Sequence, residues 1–183
     1  MLSEGGHMRQ GAVRARVTGL DHVSITTADL DASIAFYAGL LGLSVAARGE
    51  SQDEEIAVMM GLDRVRIRWA DIELGNGTVL ELVQFLHPAG APIARALWDP
   101  GAGHIGMLVD DIDAAHDRLL EADVRVVSKP VRLIEEGSWH GAKVLYAVDP
   151  DGTWIELVER PEPVTVLSQA DDDIVRLDVN EDS

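Results

Sequence analysis

From Gly19 onward, polar and apolar positions alternate in short runs separated by caps and turns. In His22-Val23-Ser24-Ile25-Thr26-Thr27, Val23 and Ile25 fall on one side and His22, Ser24 and Thr26 on the other, the period of a half-buried strand. Asp29 or Asp31 is placed to cap a following helix, because a carboxylate satisfies the free amides of a first turn. Ile34, Tyr37 or Ala38, and Leu41 form the apolar stripe of that helix, and Gly42 is placed as its stop. Ser44 to Ala47 predicts a second strand, and the acidic, then Met-rich stretch Glu50 to Gly61 predicts a loop with a short helix. Arg64 to Glu73 alternates again, with Val65, Ile67 and Trp69 opposite Arg66 and Arg68. Gly75-Asn76-Gly77 predicts a hairpin turn into a strand from Thr78 to Phe85. His87 to Gly103 holds Pro88, Pro92 and Pro100 and reads as a linker with a helical turn near Ile93 to Leu97.

The pattern then restarts. Gly103 to Val109 repeats the polar and apolar order of Asp21 to Thr27, with His104 82 residues after His22. At the same offset Asp29-Leu30-Asp31-Ala32 matches Asp111-Ile112-Asp113-Ala114, and a capped helix with Ile112, Ala115 and Leu119 buried follows. Strands are predicted at Val124 to Val127 and Lys143 to Val148. Asp149-Pro150-Asp151-Gly152 is turn chemistry, and it leads into Thr153-Trp154-Ile155-Glu156-Leu157-Val158. That strand repeats Gly77-Thr78-Val79-Leu80-Glu81-Leu82-Val83, and each copy carries one acid among apolar residues. The economical reading is an α+β fold of two fused βαβββ modules, residues 18–87 and 103–160, joined by a linker at 88–102. Residues 1–17 read as a mobile lead and 161–183 as an acidic, solvated tail.

Composition narrows the partners. The formal charge of -17 argues against nucleic acid and anionic membrane surfaces, but not against a small anion held by local arginines. No apolar run is long enough to span a membrane, and the N-terminus lacks the apolar core of a secretion signal. The absence of cysteine rules out thiol catalysis and disulfides and fits a cytoplasmic protein.

Each module offers one His on its first strand and one Glu on its last: His22 and Glu81, then His104 and Glu156. An acid inside an apolar strand is costly to bury unless it is paired or binds a metal. Two imidazoles and two carboxylates suit one divalent first-row ion, Zn, Ni, Co, Mn or Fe. Taken singly, each of these residues has a blander reading, a hydrogen-bonded strand His or a solvent-facing Glu. Recurrence at equivalent positions favours the metal. Trp154 shares the Glu156 face and is a candidate pocket wall; Arg48 is a candidate clamp for a carboxylate or phosphate.

Asp21-His22-Val23-Ser24-Ile25, Ala35-Phe36-Tyr37 with Leu41-Gly42-Leu43, Gly103-His104-Ile105, and Asp149-Pro150-Asp151-Gly152 to Glu156 resemble the vicinal oxygen chelate superfamily. That group includes glyoxalase I, methylmalonyl-CoA epimerase, extradiol dioxygenases and bleomycin-resistance proteins. The resemblance covers Gly19 to Glu159. It implies paired modules in a U-shaped, barrel-like sheet around a central cavity, a homodimer, and His22, Glu81, His104 and Glu156 at the four ligand positions. Val79-Leu80-Glu81-Leu82 is similar to glyoxalase I, whereas Pro92 to Leu97 and Gly141-Ala142-Lys143-Val144 are similar to methylmalonyl-CoA epimerase.

Both relatives imply a metal-dependent isomerase or lyase acting on a small substrate with vicinal oxygens or a thioester. The metal polarises a carbonyl and stabilises the enolate or enediolate formed when the adjacent carbon loses its proton. Glu156, or alternatively Glu81, is expected to move that proton. An Fe(II) extradiol dioxygenase is one alternative, since His140 and Tyr146 lie near the places of its catalytic pair, although their spacing is short and Glu81 adds a fourth ligand. A non-catalytic drug- or metabolite-sequestering protein is the other.

Overall fold

The computed structural model describes residues 16–93, 95–134 and 136–161. The lead predicted for residues 1–17 and the tail predicted for 161–183 lie outside them, except for residues 16, 17 and 161. In chain order the elements are β1 (His22–Thr26), α1 (Leu30–Ile34), which continues into a wider turn over Ala35–Leu40, β2 (Ser44–Ser51), α2 (Glu54–Met59), β3 (Arg66–Glu73) and β4 (Val79–His87). They continue with β5 (His104–Leu108), α3 (Ile112–Glu121), β6 (Val131–Arg132), β7 (Lys143–Val148) and β8 (Trp154–Glu159). Two four-stranded sheets result, in the orders β1-β4-β3-β2 and β5-β8-β7-β6. In each, the first and last strands of the repeat run parallel and the other pairs antiparallel. The expected α+β fold of two βαβββ modules is therefore present. No helix among the described residues is long and apolar enough to cross a membrane.

The chain divides into two compact units. Among the described residues, the first covers 16–102 and also takes in the β7–β8 turn, Asp149–Thr153; the second holds Gly103–Val148 and 154–161. In the first, Asp29 caps α1, its Oδ1 accepting from the amides of Asp31 at 3.0 Å and Ala32 at 3.2 Å. The wider turn that follows, with Leu41 N–H donating to the Phe36 carbonyl five residues back, lets consecutive residues Phe36 and Tyr37 both be buried. The helix packs on β3 and β4, whose buried residues on that side are Ala70, Ile72, Leu80 and Leu82. In the second unit Asp111 caps α3 through the Ala114 amide at 2.9 Å, and α3 packs on β7 and β8 with Ile112 and Leu119 buried.

The Asp149-Pro150-Asp151-Gly152 turn does more than reverse the chain. Asp149 Oδ1 accepts from the amides of Asp151 at 2.9 Å and Thr153 at 2.7 Å. Its Oδ2 accepts from the buried Tyr37 hydroxyl at 2.9 Å, and Asp151 accepts from the Thr27 hydroxyl and the Ala28 amide. The turn is thus clasped to the β1–α1 junction inside the first unit.

Two element expectations need correcting. Val124 to Val127 is not a strand: it makes one bridge, Val126 with Ala147, and the edge strand β6 forms later, at Val131–Arg132. Lys129-Pro130 intervenes, and a proline cannot donate to a ladder. The linker turn also comes later than Ile93 to Leu97: Asp99 N–H donates to the Ala96 carbonyl, and the Asp99 carboxylate caps Ala96 N–H at 2.8 Å.

Candidate functional site

Residues paired across neighbouring strands point to the same face of a sheet. In the first unit Ser24, Glu81, Asp71 and Ala47 form one such row across β1, β4, β3 and β2. His22 stands two residues before Ser24 on the same face, and its Nε2 lies 3.7 Å from Glu81 Oε2. Asp21 binds the other ring nitrogen of His22 at 2.8 Å. That hydrogen bond is the main reason the His22 pKa is raised, with the charges of Glu81, Asp21 and Asp71 adding to it against some desolvation. Burial, and then the negative charge of Glu81, raises the Asp71 pKa, while His22 opposes the rise.

One end of this face is covered by the segment whose role was open from the sequence. Ala57 of α2, with Ile56 and Leu62, packs on Val65, Ile67, Trp69, Val83 and Phe85. By register Ile67, Trp69, Val83 and Phe85 share the face of Glu81. The Trp69 ring lies so close over Gly49 that a Cβ there would stand 2.9 Å from Trp69 Cζ2.

The second unit repeats the design with different neighbours. Gly106, Glu156 and Tyr146 form the row across β5, β8 and β7, and His104, Trp154 and Val148 form the next. His104 Nε2 lies 3.4 Å from Glu156 Oε2, and the Tyr146 hydroxyl donates to Glu156 Oε1 at 2.9 Å. Burial, then the hydrogen bond to Glu156 and its charge, push the Tyr146 pKa up to about 12. The Tyr146 ring meets His104 edge-on at 5.6 Å between centroids and Trp154 at 6.4 Å. The Arg125 guanidinium lies 5.5 Å from the Trp154 ring centre. Leu133 and Ala142 pack against Val144, Val158 and Tyr146, so the loop between β6 and β7 covers this face much as α2 covers the other.

Each unit therefore brings one predicted His–Glu pair together. Two ligands held about 2.1 Å from a tetrahedral ion stand roughly 3.4 Å apart. The His104–Glu156 separation equals that edge, and the His22–Glu81 separation exceeds it by a few tenths of an ångström. Among the described residues, however, no group of three or more His, Cys, Asp or Glu side chains is gathered tightly enough to hold an ion unaided. Each pair supplies two donors of the kind a first-row ion takes, which is half of a complete set.

Of the remaining predicted site residues, Trp154 and Tyr146 stand on the Glu156 face. Arg48 does not join Glu81. It pairs with the buried Ala70, one residue out of phase with Asp71, and so projects on the helix-covered side. His140 lies exposed in the covering loop, where Nδ1–H donates to the Ile134 carbonyl at 3.2 Å. Asp71 and Arg125 were not foreseen. A signal for Asp71 existed, since it continues the Ile67–Trp69 side of the β3 alternation. Arg125 had none, because only the Val126–Ala147 bridge sets its face.

A family model described as the Glyoxalase/Bleomycin resistance protein/Dioxygenase superfamily matches residues 19–157. The chain belongs to this superfamily. Among its superfamily relatives is the ethylmalonyl-CoA/methylmalonyl-CoA epimerase of Cereibacter sphaeroides, 37% identical over 145 residues that cover 75% of this chain and 95% of that protein. Human mitochondrial methylmalonyl-CoA epimerase is 32% identical over 145 residues, covering 75% of this chain and 72% of the human one. Proteins named probable lactoylglutathione lyase, from Synechocystis and Vibrio cholerae, match at 26% and 28% identity over 75% and 77% of this chain and 92% and 90% of theirs. The crystal structure of a glyoxalase family protein from Bacillus cereus superposes with a TM-score of 0.71 at 24% identity, covering 81% of this chain and 98% of that one. At that identity the likeness concerns the fold.

Proposed function

We propose that this superfamily member moves a proton on the carbon beside a carbonyl of a small acyl thioester, with the pairs His22–Glu81 and His104–Glu156 each supplying ligands to a divalent metal. The relatives described above are isomerases and lyases by name, and the chain is an enzyme of that kind. The observation that carries the proposal is the recurrence of the pair: in both sheets the His lies two residues before the strand position that pairs with the Glu. A solvent-facing acid has no reason to recur in that register beside an imidazole.

The donors fit such an ion, being imidazole nitrogens and carboxylate oxygens at separations close to a coordination edge. When bound, the ion supplies Lewis acidity that makes the neighbouring C–H acidic. The chain supplies the rest. Glu81 and Glu156 are the carboxylates placed to take the proton and return it. Trp154 and Tyr146 beside one pair, and Trp69 beside the other, give apolar walls against which an acyl group can lie. The first substrate class to test is a 2-alkylmalonyl thioester, because the relative at 37% identity carries an epimerase name of that kind. A hemithioacetal is the second, on the strength of the relatives named as lyases. Of the pair the ring-cleaving alternative would use, Tyr146 donates to Glu156 and His140 to the Ile134 carbonyl.

The test is solvent deuterium exchange into a 2-methylmalonyl thioester and into a hemithioacetal, with protein stripped of metal and then reloaded. Exchange that requires the metal and collapses in both His22→Ala and His104→Ala is the expected result. Exchange indifferent to chelators would sink the metal assignment. Oxygen uptake with catechols in place of exchange would transfer the site to the dioxygenase reading.

A further inference from the structure

Glu81 and Glu156 hold equivalent register positions but have different neighbours. Across the sheet from Glu81 stands Asp71, a second carboxylate; across from Glu156 stands Tyr146, a hydroxyl donor. On the other side Glu81 faces Ser24, whereas Glu156 faces the bare backbone of Gly106, where even a Cβ would sit 3.5 Å from Oε2. No donor among the described residues bonds Glu81 as Tyr146 bonds Glu156. The Tyr146 ring is itself braced by His104, by Trp154 and by the Leu133–Ala142–Val144–Val158 cluster, so its hydroxyl is aimed rather than free to wander.

From this geometry we infer that Tyr146 is the positioning residue of Glu156. It holds Oε1, fixes the side-chain torsions, and leaves Oε2 alone presented beside His104 Nε2. Its ring edge on His104 extends the same control to the imidazole. A partner that orients a ligand commonly accounts for a 10–100-fold change in metal affinity. The inference rests on the reading that the His104–Glu156 pair binds a divalent ion, and it adds an asymmetry the duplicated sequence pattern does not contain: one glutamate is held, its counterpart is not.

The experiment is a titration of the metal-free full chain with Co2+ alone, followed through the visible absorption of bound cobalt. It compares wild type, Tyr146→Phe, Glu156→Ala and the double variant. Phenylalanine keeps the ring contacts and removes only the donor. Tyr146→Phe should weaken cobalt binding by about 10–100-fold and shift the cobalt spectrum while melting within a few degrees of wild type. In the Glu156→Ala background the same change should add little, because its effect passes through Glu156. Unchanged cobalt affinity in Tyr146→Phe overturns the inference. So does a loss that persists undiminished in the Glu156→Ala background, which marks a merely structural role. If Glu156→Ala itself binds cobalt as wild type does, it is the metal reading that fails, and this is visible independently of Tyr146.

Discussion

The Tyr37–Asp149 contact gives a stability prediction that can be worked from the structure. Tyr37 is fully buried and Asp149 is 6% exposed, so neither group can replace its partner with bulk water. Asp149 is an acceptor for three donors, two backbone amides on Oδ1 and the Tyr37 hydroxyl on Oδ2. Tyr37→Phe removes only the third. A hydrogen bond to a charged group contributes about 1.5–3 kcal/mol net, and the ring, which does the packing, is kept. The expected loss is therefore about 2 kcal/mol, or roughly 4–8 °C in melting temperature for a chain of this size. Urea unfolding at pH 7 should show a lower midpoint with an unchanged slope. Asp149→Ala strips all three donors of their acceptor and should cost more. Asp149→Asn keeps an oxygen for the two amides and an NH2 that the hydroxyl can accept, and should cost less. A Tyr37→Phe variant within about 0.5 kcal/mol of wild type, or an Asp149→Ala variant no worse than Tyr37→Phe, would refute the view that the turn is clasped through this carboxylate. Burial, and then the charge of Asp149, raise the Tyr37 pKa above its ordinary value. The stability it contributes is thus whole below pH 10 and is lost as pH rises above that.

Three further outcomes are expected. Tyr146, held up to about 12, should ionise later than an ordinary tyrosine in an ultraviolet titration, and Glu156→Gln should lower its midpoint only in part, because burial is the larger cause; an unchanged midpoint in that variant would separate the hydroxyl from the carboxylate. Gly49→Ala puts a methyl 2.9 Å from the Trp69 ring, so it should destabilise by about 1–3 kcal/mol and alter tryptophan emission; a silent substitution would mean that the ring has room to move. Glu81→Gln keeps an oxygen ligand but not a base, so at saturating metal deuterium exchange into a methylmalonyl thioester should fall by about 10²–10⁴-fold if Glu81 carries the proton, and the same measurement on Glu156→Gln decides between the two carboxylates.

The fold was legible because its evidence is local and repeated. The alternation at His22 to Thr26, the caps at Asp29 and Asp111 and the two Glu-bearing strands each form a recognisable short-range pattern, and their recurrence ordered the modules. The His–Glu pairs were legible for the same reason. What stayed hidden depends on pairing between distant strands. Arg48 looked like a clamp until its partner, the buried Ala70, set its face, and Asp71 looked like one acid among many until it met Glu81 across β3 and β4. The wide turn over Ala35–Leu40 had no periodic signature, since burying adjacent residues Phe36 and Tyr37 breaks the helical stripe that periodicity detects. The edge strand was misplaced because two residues of pairing leave almost no pattern to read.

Duplication explains why the chain can hold two similar half-sites; it does not explain why they differ. A strictly repeated module would put the same residue opposite each glutamate. Here the first has Asp71, whose own pKa is raised by burial and then by the charge of Glu81, and the second has Tyr146, whose hydroxyl donates to Glu156. One ligand position thus faces a second carboxylate and the other a hydrogen-bond donor. The distinction is written on β3 and β7, the strands that carry neither the histidines nor the glutamates. What distinguishes the two glutamates is therefore to be sought in the residue facing each across the sheet, which the repeated pattern does not contain.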